Sequence, residues 1–309
     1  MTEERKKIAQ KRFATGLLLA IVGSIAFSGK AIIVKLAYRY GVDAVTLIMY
    51  RMLFALPIFA VMAWWASRGK EALTRNDWLG ILGLGFTGYY LASYLDFAGL
   101  AYISAALERL ILYLNPTLVL ILGWLLYKKK MSSKQIGAMA LSYAGILLVF
   151  GHELKFDGTT SSNTILGAAL VFGSAVSYAI YLSYSGEMVK RLGSLRLVGL
   201  ATTVACLLCI AQFVILRPIS AMAVAPEVIW LSILNATFCT ALPVLAVMMA
   251  IERIGAPLTA QTGMIGPMST ILMGVFILGE PLNMWIIAGT VLVLAGVYMV
   301  SRSRPVAAD

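Results

Sequence analysis

The apolar residues of this chain come in long blocks rather than in alternation. Ten blocks, at about 16–38, 44–66, 78–99, 102–127, 134–151, 165–187, 197–217, 228–250, 255–279 and 283–301, are separated by short polar or charged segments. A bilayer core is crossed by about 20 apolar residues in helical form. Each block is therefore close to one span. Period-two alternation is missing, which sets aside a membrane barrel. The pattern predicts an all-α integral membrane protein of ten transmembrane helices.

The blocks also repeat. A gap-free shift of 151 positions lays Gly16 on Gly167, Ile103 on Ile254, Ala105 on Ala256 and Leu107 on Leu258. It also lays Pro116 on Pro267, Gly123 on Gly274 and Gly145 on Gly296. One offset held across both halves marks a duplicated unit. Five spans per unit is an odd number, so the second copy enters the membrane upside down. Inverted repeats of this kind are a signature of secondary transporters. The expected organisation is a cytoplasmic tail (1–15), a first five-helix repeat (16–151), an external linker (152–164), a second five-helix repeat (165–301) and a cytoplasmic tail (302–309).

Charge sets the orientation. With the N-terminus inside, 18 lysines and arginines fall in inside segments and four, Lys35, Arg39, Lys155 and Arg217, in outside ones. That asymmetry predicts both termini in the cytoplasm. It also explains the net charge of +11 without nucleic acid, since no basic patch is interleaved with aromatics. Composition agrees: 61% of residues are hydrophobic and 13% charged, against about 25% charged in soluble domains. The basic start and the apolar run from Gly16 read as a first span rather than a cleaved signal.

Two stretches carry a family resemblance. One is Ala101-Tyr-Ile-Ser-Ala-Ala-Leu-Glu-Arg-Leu-Ile-Leu-Tyr-Leu-Asn-Pro116. The other is Ile254-Gly-Ala-Pro-Leu258, then Pro267, Leu278-Gly-Glu-Pro281, Gly289 and Gly296. They resemble the paired repeats of the EamA-type transporters of the drug/metabolite transporter superfamily, over about residues 16–300. The resemblance implies ten spans, a pseudo-twofold axis, a central substrate cavity and export, or sometimes uptake, of small metabolites such as amino acids. One departure stands out: Lys128-Lys129-Lys130 occupies the place where the family often carries Gly-Glu, as the second repeat does at Gly279-Glu280.

Five ionisable residues, Lys30, Arg51, Asp96, Glu108 and Arg109, lie within the spans. Each costs about 2.5–3.5 kcal/mol or more at the bilayer centre unless paired or hydrated. Their default location is the bundle interior. In the functional reading, Lys30 or Arg51 receives a substrate carboxylate while Asp96 or Glu108 takes an amine or a proton. In the structural reading, Glu108 pairs with Arg51 and Asp96 with Arg109 to fix helix register. Helical spacing places Tyr89 and Asp96 on one face of span 3, Glu108 and Asn115 on one face of span 4, and Ser174, Ser177, Tyr181 and Ser185 on one face of span 6. Thr262 lies on span 9 and Asn235 on span 8. Lys30 and Tyr181 are repeat mates and are expected to face each other. Tyr94, Tyr113 and Tyr178 are candidates to stack on substrate. Pro116 and Pro267 predict paired mid-span kinks that serve as hinges.

The expected substrate-binding set is therefore Lys30, Arg51, Tyr89, Tyr94, Asp96, Glu108, Tyr113, Asn115, Tyr178, Tyr181, Asn235 and Thr262. Arg109, Pro116 and Pro267 are structural or hinge residues. The expected function is a secondary transporter of small metabolites, amino acids including aromatic and apolar ones first, working as an exporter in the plasma membrane, the inner membrane of a bacterium. Rival readings are export of cationic drugs or other metabolites, or a non-transporting membrane enzyme or receptor. The partners are a small-molecule substrate, the lipid bilayer and, as a coupling candidate, protons. A monomer and a homodimer both fit.

Other motifs carry little. Gly83-Leu-Gly85-Phe-Thr-Gly88 matches a dinucleotide fingerprint but lies inside a span with no preceding strand. Cys206-x-x-Cys209 has no second pair. His152 is the one histidine, which leaves no His-based metal site or triad. No catalytic constellation, cofactor motif or ATP-binding loop is present, so no enzyme activity and no cofactor are expected.

Overall fold

The computed structural model describes residues 3–128, 132–156, 161–254, 259, 262, 263 and 265–302. The described residues form helices and connecting turns. In chain order they are α1 (Glu3–Tyr38), α2 (Ala44–Ser67), α3 (Arg75–Leu84) continuing through a π-helical segment (Gly85–Leu91) into α4 (Ala92–Leu100), α5 (Ala105–Leu112) and α6 (Asn115–Tyr127). Then come α7 (Ser133–Phe156), α8 (Ser161–Leu192), α9 (Ser194–Leu216) and α10 (Pro226–Ala236). A second π segment (Thr237–Ala241) leads into α11 (Leu242–Ile254). α12 (Ile265–Met273) runs into a third (Gly274–Leu278), and α13 (Met284–Arg302) closes the chain. Seven helical stretches among the described residues are long and apolar enough to cross a membrane. Two shorter apolar ones, Ile265–Leu278 and Met284–Met299, follow.

The helix ends follow local chemistry. Asp43 caps α2 by accepting from the backbone N–H of Val45 (2.9 Å) and Thr46 (3.3 Å). Thr74 and Asp77 form a reciprocal capping box at the start of α3. The sequence predicts a kinked span over 102–127. In the structure the ladder is interrupted at Tyr113–Leu114, where both residues keep right-handed helical dihedrals, and Pro116 falls in the first turn of α6. Proline has no N–H and fits a first turn better than a helix interior, so the interruption sits just before it. Pro267 lies in α12, and Thr262 and Gly263 before it are helical as well. The Gly263 carbonyl, four residues upstream of Pro267, accepts a hydrogen bond from the Tyr113 hydroxyl. The acceptor freed by one proline is thus satisfied from the break beside the other.

The expected linker 152–164 is also shorter than its pattern suggests: α7 runs on to Phe156 and α8 begins at Ser161. Residues 157–160 lie outside the described set, as do most of 255–264 and the Lys129-Lys130 pair.

Helices from the two halves of the chain interleave. α1 packs on α11 and α12, α8 on α4 and α6, α2 on α9, and α7 on α13. The close approaches at glycine are reciprocal under the 151-residue shift. A Cβ on Gly16 would lie 2.6 Å from Ile254 and 2.8 Å from Arg253; one on Gly167 would lie 2.9 Å from Ile103 and 2.7 Å from Tyr102. A Cβ on Gly145 would meet the Gly289 carbonyl at 2.6 Å, and one on Gly296 the Ala138 carbonyl at 2.5 Å. In each pair of contacts, shifting the residue numbers by 151 turns one into the other. That exchange is what a twofold relation between the halves requires. Small residues at these crossings are how membrane helices gain close packing. The outer surface carries Trp64, Trp65, Val214, Ile215, Phe276 and Trp285, all exposed, as expected of a wall that faces lipid.

Candidate functional site

The polar centre of the molecule lies where α1, α2, α4 and α5 meet. Lys30, Arg51, Asp96, Glu108 and Arg109 are all buried there, with exposures of 6, 5, 2, 0 and 4%. The Lys30 ammonium contacts Asp96 Oδ2 and lies 3.4 Å from Glu108 Oε1. One lysine therefore serves two carboxylates brought by two different helices.

The arginines flank this triad. Arg51 donates from Nε to Thr240 Oγ1 (3.1 Å), and its guanidinium lies 5.1 Å from the Phe97 ring centroid. Arg109 donates from Nε to Thr270 Oγ1 (2.9 Å), and its guanidinium lies 5.5 Å from the Phe27 centroid. Lys30 stands over the same Phe27 ring at 5.8 Å. A hydroxyl and an aromatic face thus hold each guanidinium. Arg51 Nη1, Arg109 Nη2, Asp96 Oδ1 and Glu108 Oε2 are buried with no hydrogen-bond partner among the described residues.

The expected pairing of Glu108 with Arg51 and Asp96 with Arg109 is corrected. Both acids turn to Lys30 on α1, and both arginines turn to threonines. The expected contact of Lys30 with Tyr181 is corrected as well. Tyr181 instead meets the Tyr89 hydroxyl at 3.2 Å and stacks on Tyr178 at 5.4 Å between centroids. Gly88 admits this ring, since a Cβ there would lie 2.4 Å from it. The polar stripe of α8 is a packing device: Ser177 donates to the Thr87 carbonyl and Ser174 to the Ala92 carbonyl, each at 2.7 Å. Both acceptors lie in or just after the π segment, where the regular backbone ladder is interrupted.

The remaining expected residues are dispersed. Tyr94 packs with Val45, Met49, Tyr50 and Phe213. Tyr113 is committed to the Gly263 carbonyl. Asn115 is half-buried beside the helix break and Asn235 is buried next to the second π segment, each with a side-chain oxygen that accepts nothing among the described residues. Thr262 is half-buried within the described part of the 255–264 stretch.

Sequence reasoning missed Thr240 and Thr270. Thr270 could have been found, because it continues the i, i+4 face of Thr262 and Gly266 by one turn. Thr240 could not: the π segment shifts the register, and its hydroxyl donates to the Asn235 carbonyl five residues back (2.8 Å). A second polar assembly also went unread. Glu280 accepts from the Ala105 backbone N–H (3.0 Å) and lies 3.5 Å from Lys35, while Arg39 donates to the Leu278 carbonyl (2.8 Å). Together these contacts tie the loop after α12 to the ends of α1 and α5.

Two concavities lie away from the charged cluster. One of about 370 Å³ is lined by Leu36, Arg39, Tyr40, Glu227, Trp230 and Leu231. The other, about 350 Å³, is an apolar groove that includes Leu19, Ile58 and Phe238. The side chains of the cluster close over one another.

Comparison with known proteins fits this architecture. The profile of the EamA-like transporter family matches residues 14–151 and again residues 165–302. The chain belongs to that family. This EamA-family protein is 30% identical to the uncharacterized transporter YcbK of Bacillus subtilis (strain 168), over 91% of the chain and 90% of that relative. It is 26% identical to a WAT1-related protein of Arabidopsis thaliana, over 91% and 87%. A crystal structure at 15% identity superposes with a TM-score of 0.62, covering 93% of this chain and 96% of the other. That likeness speaks to fold alone. Family, relatives and apolar helices together make this a multi-pass plasma-membrane transporter.

Proposed function

We propose that this EamA-family protein is a ten-span secondary transporter that exports amino acids or closely related small metabolites by alternating access. The observation that carries the reading is the cluster of five buried ionisable side chains at one crossing of helices. Intramembrane charges are costly and default to a functional role. Here the cluster offers cations for a carboxylate and acids for an ammonium, side by side. Lys30, Arg51, Asp96 and Glu108 are its binding groups, with Arg109 beside them. Asp96 and Glu108 are the candidates for proton coupling.

The two units, 16–151 and 165–301, are inserted in opposite senses in this proposal, with both termini cytoplasmic and the segment between them outside. The reciprocal glycine contacts and the basic bias of alternate loops support it. The interrupted ladder at Tyr113–Leu114 and the ring of Pro267 supply the hinges. Opening at these points would part the cluster and admit substrate from one side at a time.

The test is efflux from proteoliposomes loaded with a labelled amino-acid panel, with and without an imposed pH gradient. Protein-dependent efflux of a panel member supports the reading, and gradient dependence assigns coupling to the acids. Absence of flux for every amino acid, with flux of an organic cation, would replace it by a cation exporter.

A further inference from the structure

We propose that the buried cluster is built for an amino acid with a second carboxylate, aspartate or glutamate. This inference rests on the reading of the chain as an amino-acid transporter and narrows it.

The first argument is charge. Lys30, Arg51 and Arg109 against Asp96 and Glu108 leave one positive charge in excess, on side chains no more than 6% exposed. A net charge in a dry site is costly. A zwitterion such as leucine leaves that excess unchanged. An α-amino dicarboxylate carries one net negative charge and brings the sum to zero.

The second argument is hydrogen bonding. Each arginine is anchored through Nε, to Thr240 or Thr270, and presents a buried Nη that donates to nothing among the described residues. A guanidinium edge held in this way suits a carboxylate. There are two such edges, one on each side of the Lys30 triad. Arg51 packs over Phe97, the neighbour of Asp96, and Arg109 follows Glu108 in the chain and packs over Phe27. Between them, Asp96 Oδ1 and Glu108 Oε2 are buried acceptors without a donor, the complement of an ammonium group. Glu108 Oε1, 3.4 Å from the Lys30 ammonium, is a fifth buried atom without a hydrogen bond, and two carboxylates flanking one three-donor ammonium offer a partner to all five. A monocarboxylate without an amine balances the charge but leaves both acceptors unserved. A dicarboxylate without an amine overshoots the charge and leaves both acceptors unserved.

The third argument concerns the aromatic residues. Tyr89, Tyr178 and Tyr181 are spent on one another, and Tyr113 on a backbone carbonyl. These tyrosines are therefore committed elsewhere, and the Phe27 and Phe97 rings are taken by the cluster's own cations.

The experiment is counterflow of labelled glutamate into proteoliposomes holding purified wild-type protein, with unlabelled aspartate, leucine, phenylalanine, succinate and lactate as competitors. Aspartate should compete fully. Leucine, phenylalanine, succinate and lactate should compete about a hundredfold more weakly or worse, as expected of a site whose buried polar groups need their partners. Arg51→Lys and Arg109→Lys should each reduce the preference for glutamate over leucine by about tenfold or more. Leucine or phenylalanine competing as well as aspartate would overturn the acidic specificity and leave the amino-acid transporter standing. No counterflow of glutamate, leucine or phenylalanine, each tried as the labelled species, would overturn both. The wild-type competition series decides the matter even if an arginine variant does not fold.

Discussion

Replacing Lys30 by Met should be the most damaging single change in this bundle, and the damage should be recoverable. Lys30 contacts Asp96 and lies 3.4 Å from Glu108, with all three side chains buried. Removing one partner of a buried ion pair costs about 3–5 kcal/mol, because the other charge is left behind without compensation. Here two acids lose their nearest cation, so the upper half of that range is expected. Met retains most of the packing of the lysine stem, which confines the change to charge. The second substitution, Asp96→Asn on the Lys30→Met background, removes the acid in closest contact and should restore more than half of the lost stability. Arg109 remains beside Glu108 and limits what persists. Thermal unfolding of purified protein in a mild detergent reads the effect. The single variant should melt roughly 5–15 °C lower, and the double variant should return most of the way. A Lys30→Met protein as stable as wild type, or a double variant no better than the single one, would refute the ion-pair account.

Three further outcomes follow from particular contacts. Lys128 adopts a left-handed backbone (φ 51°) at the end of α6, and its repeat mate Gly279 does the same (φ 74°) after the third π segment. Lys128→Gly should therefore stabilise the protein by about 1 kcal/mol in the same melting assay. Tyr113→Phe should cost about 1–3 kcal/mol, because it leaves the carbonyl freed by Pro267 buried without a donor. Asp43, at the exposed start of α2, loses solvation on folding, which raises its pKa, but hydrogen bonds from Thr46 and Arg217 outweigh this and hold it below the usual carboxylate value. A depressed folded value stabilises the protein above the unfolded pKa and is lost as pH falls through the folded one. Asp43→Asn should therefore lower stability at neutral pH and flatten its decline below about pH 4.

The apolar blocks told where most helices lie, because lipid demands long uninterrupted apolar helices and little else produces them. The five buried charges were legible for the same reason: their cost singles them out. Their pairing was not. Asp96 and Arg109 lie close in sequence, but the partner of Asp96 comes from α1, which crosses α4. No spacing rule on one helix reports such a crossing. The interruption at Tyr113–Leu114 was legible from Pro116, because a ring without an N–H leaves a gap in the ladder wherever it falls. Thr240 escaped because a π segment moves each following residue off the regular helical face. The α8 serines looked like a wet stripe and serve instead to satisfy the backbone of a neighbouring helix, a distinction that only the Thr87 and Ala92 carbonyls reveal.

The double variant Lys30→Met/Asp96→Asn also separates folding from binding, and it supplies the most direct test of the site. Isothermal titration of detergent-purified protein with glutamate should show saturable binding to the wild type. The folded double variant, lacking one cation and one acid of the cluster, should show none. Equal binding by the two proteins would place the substrate elsewhere and contradict the central role given to this cluster.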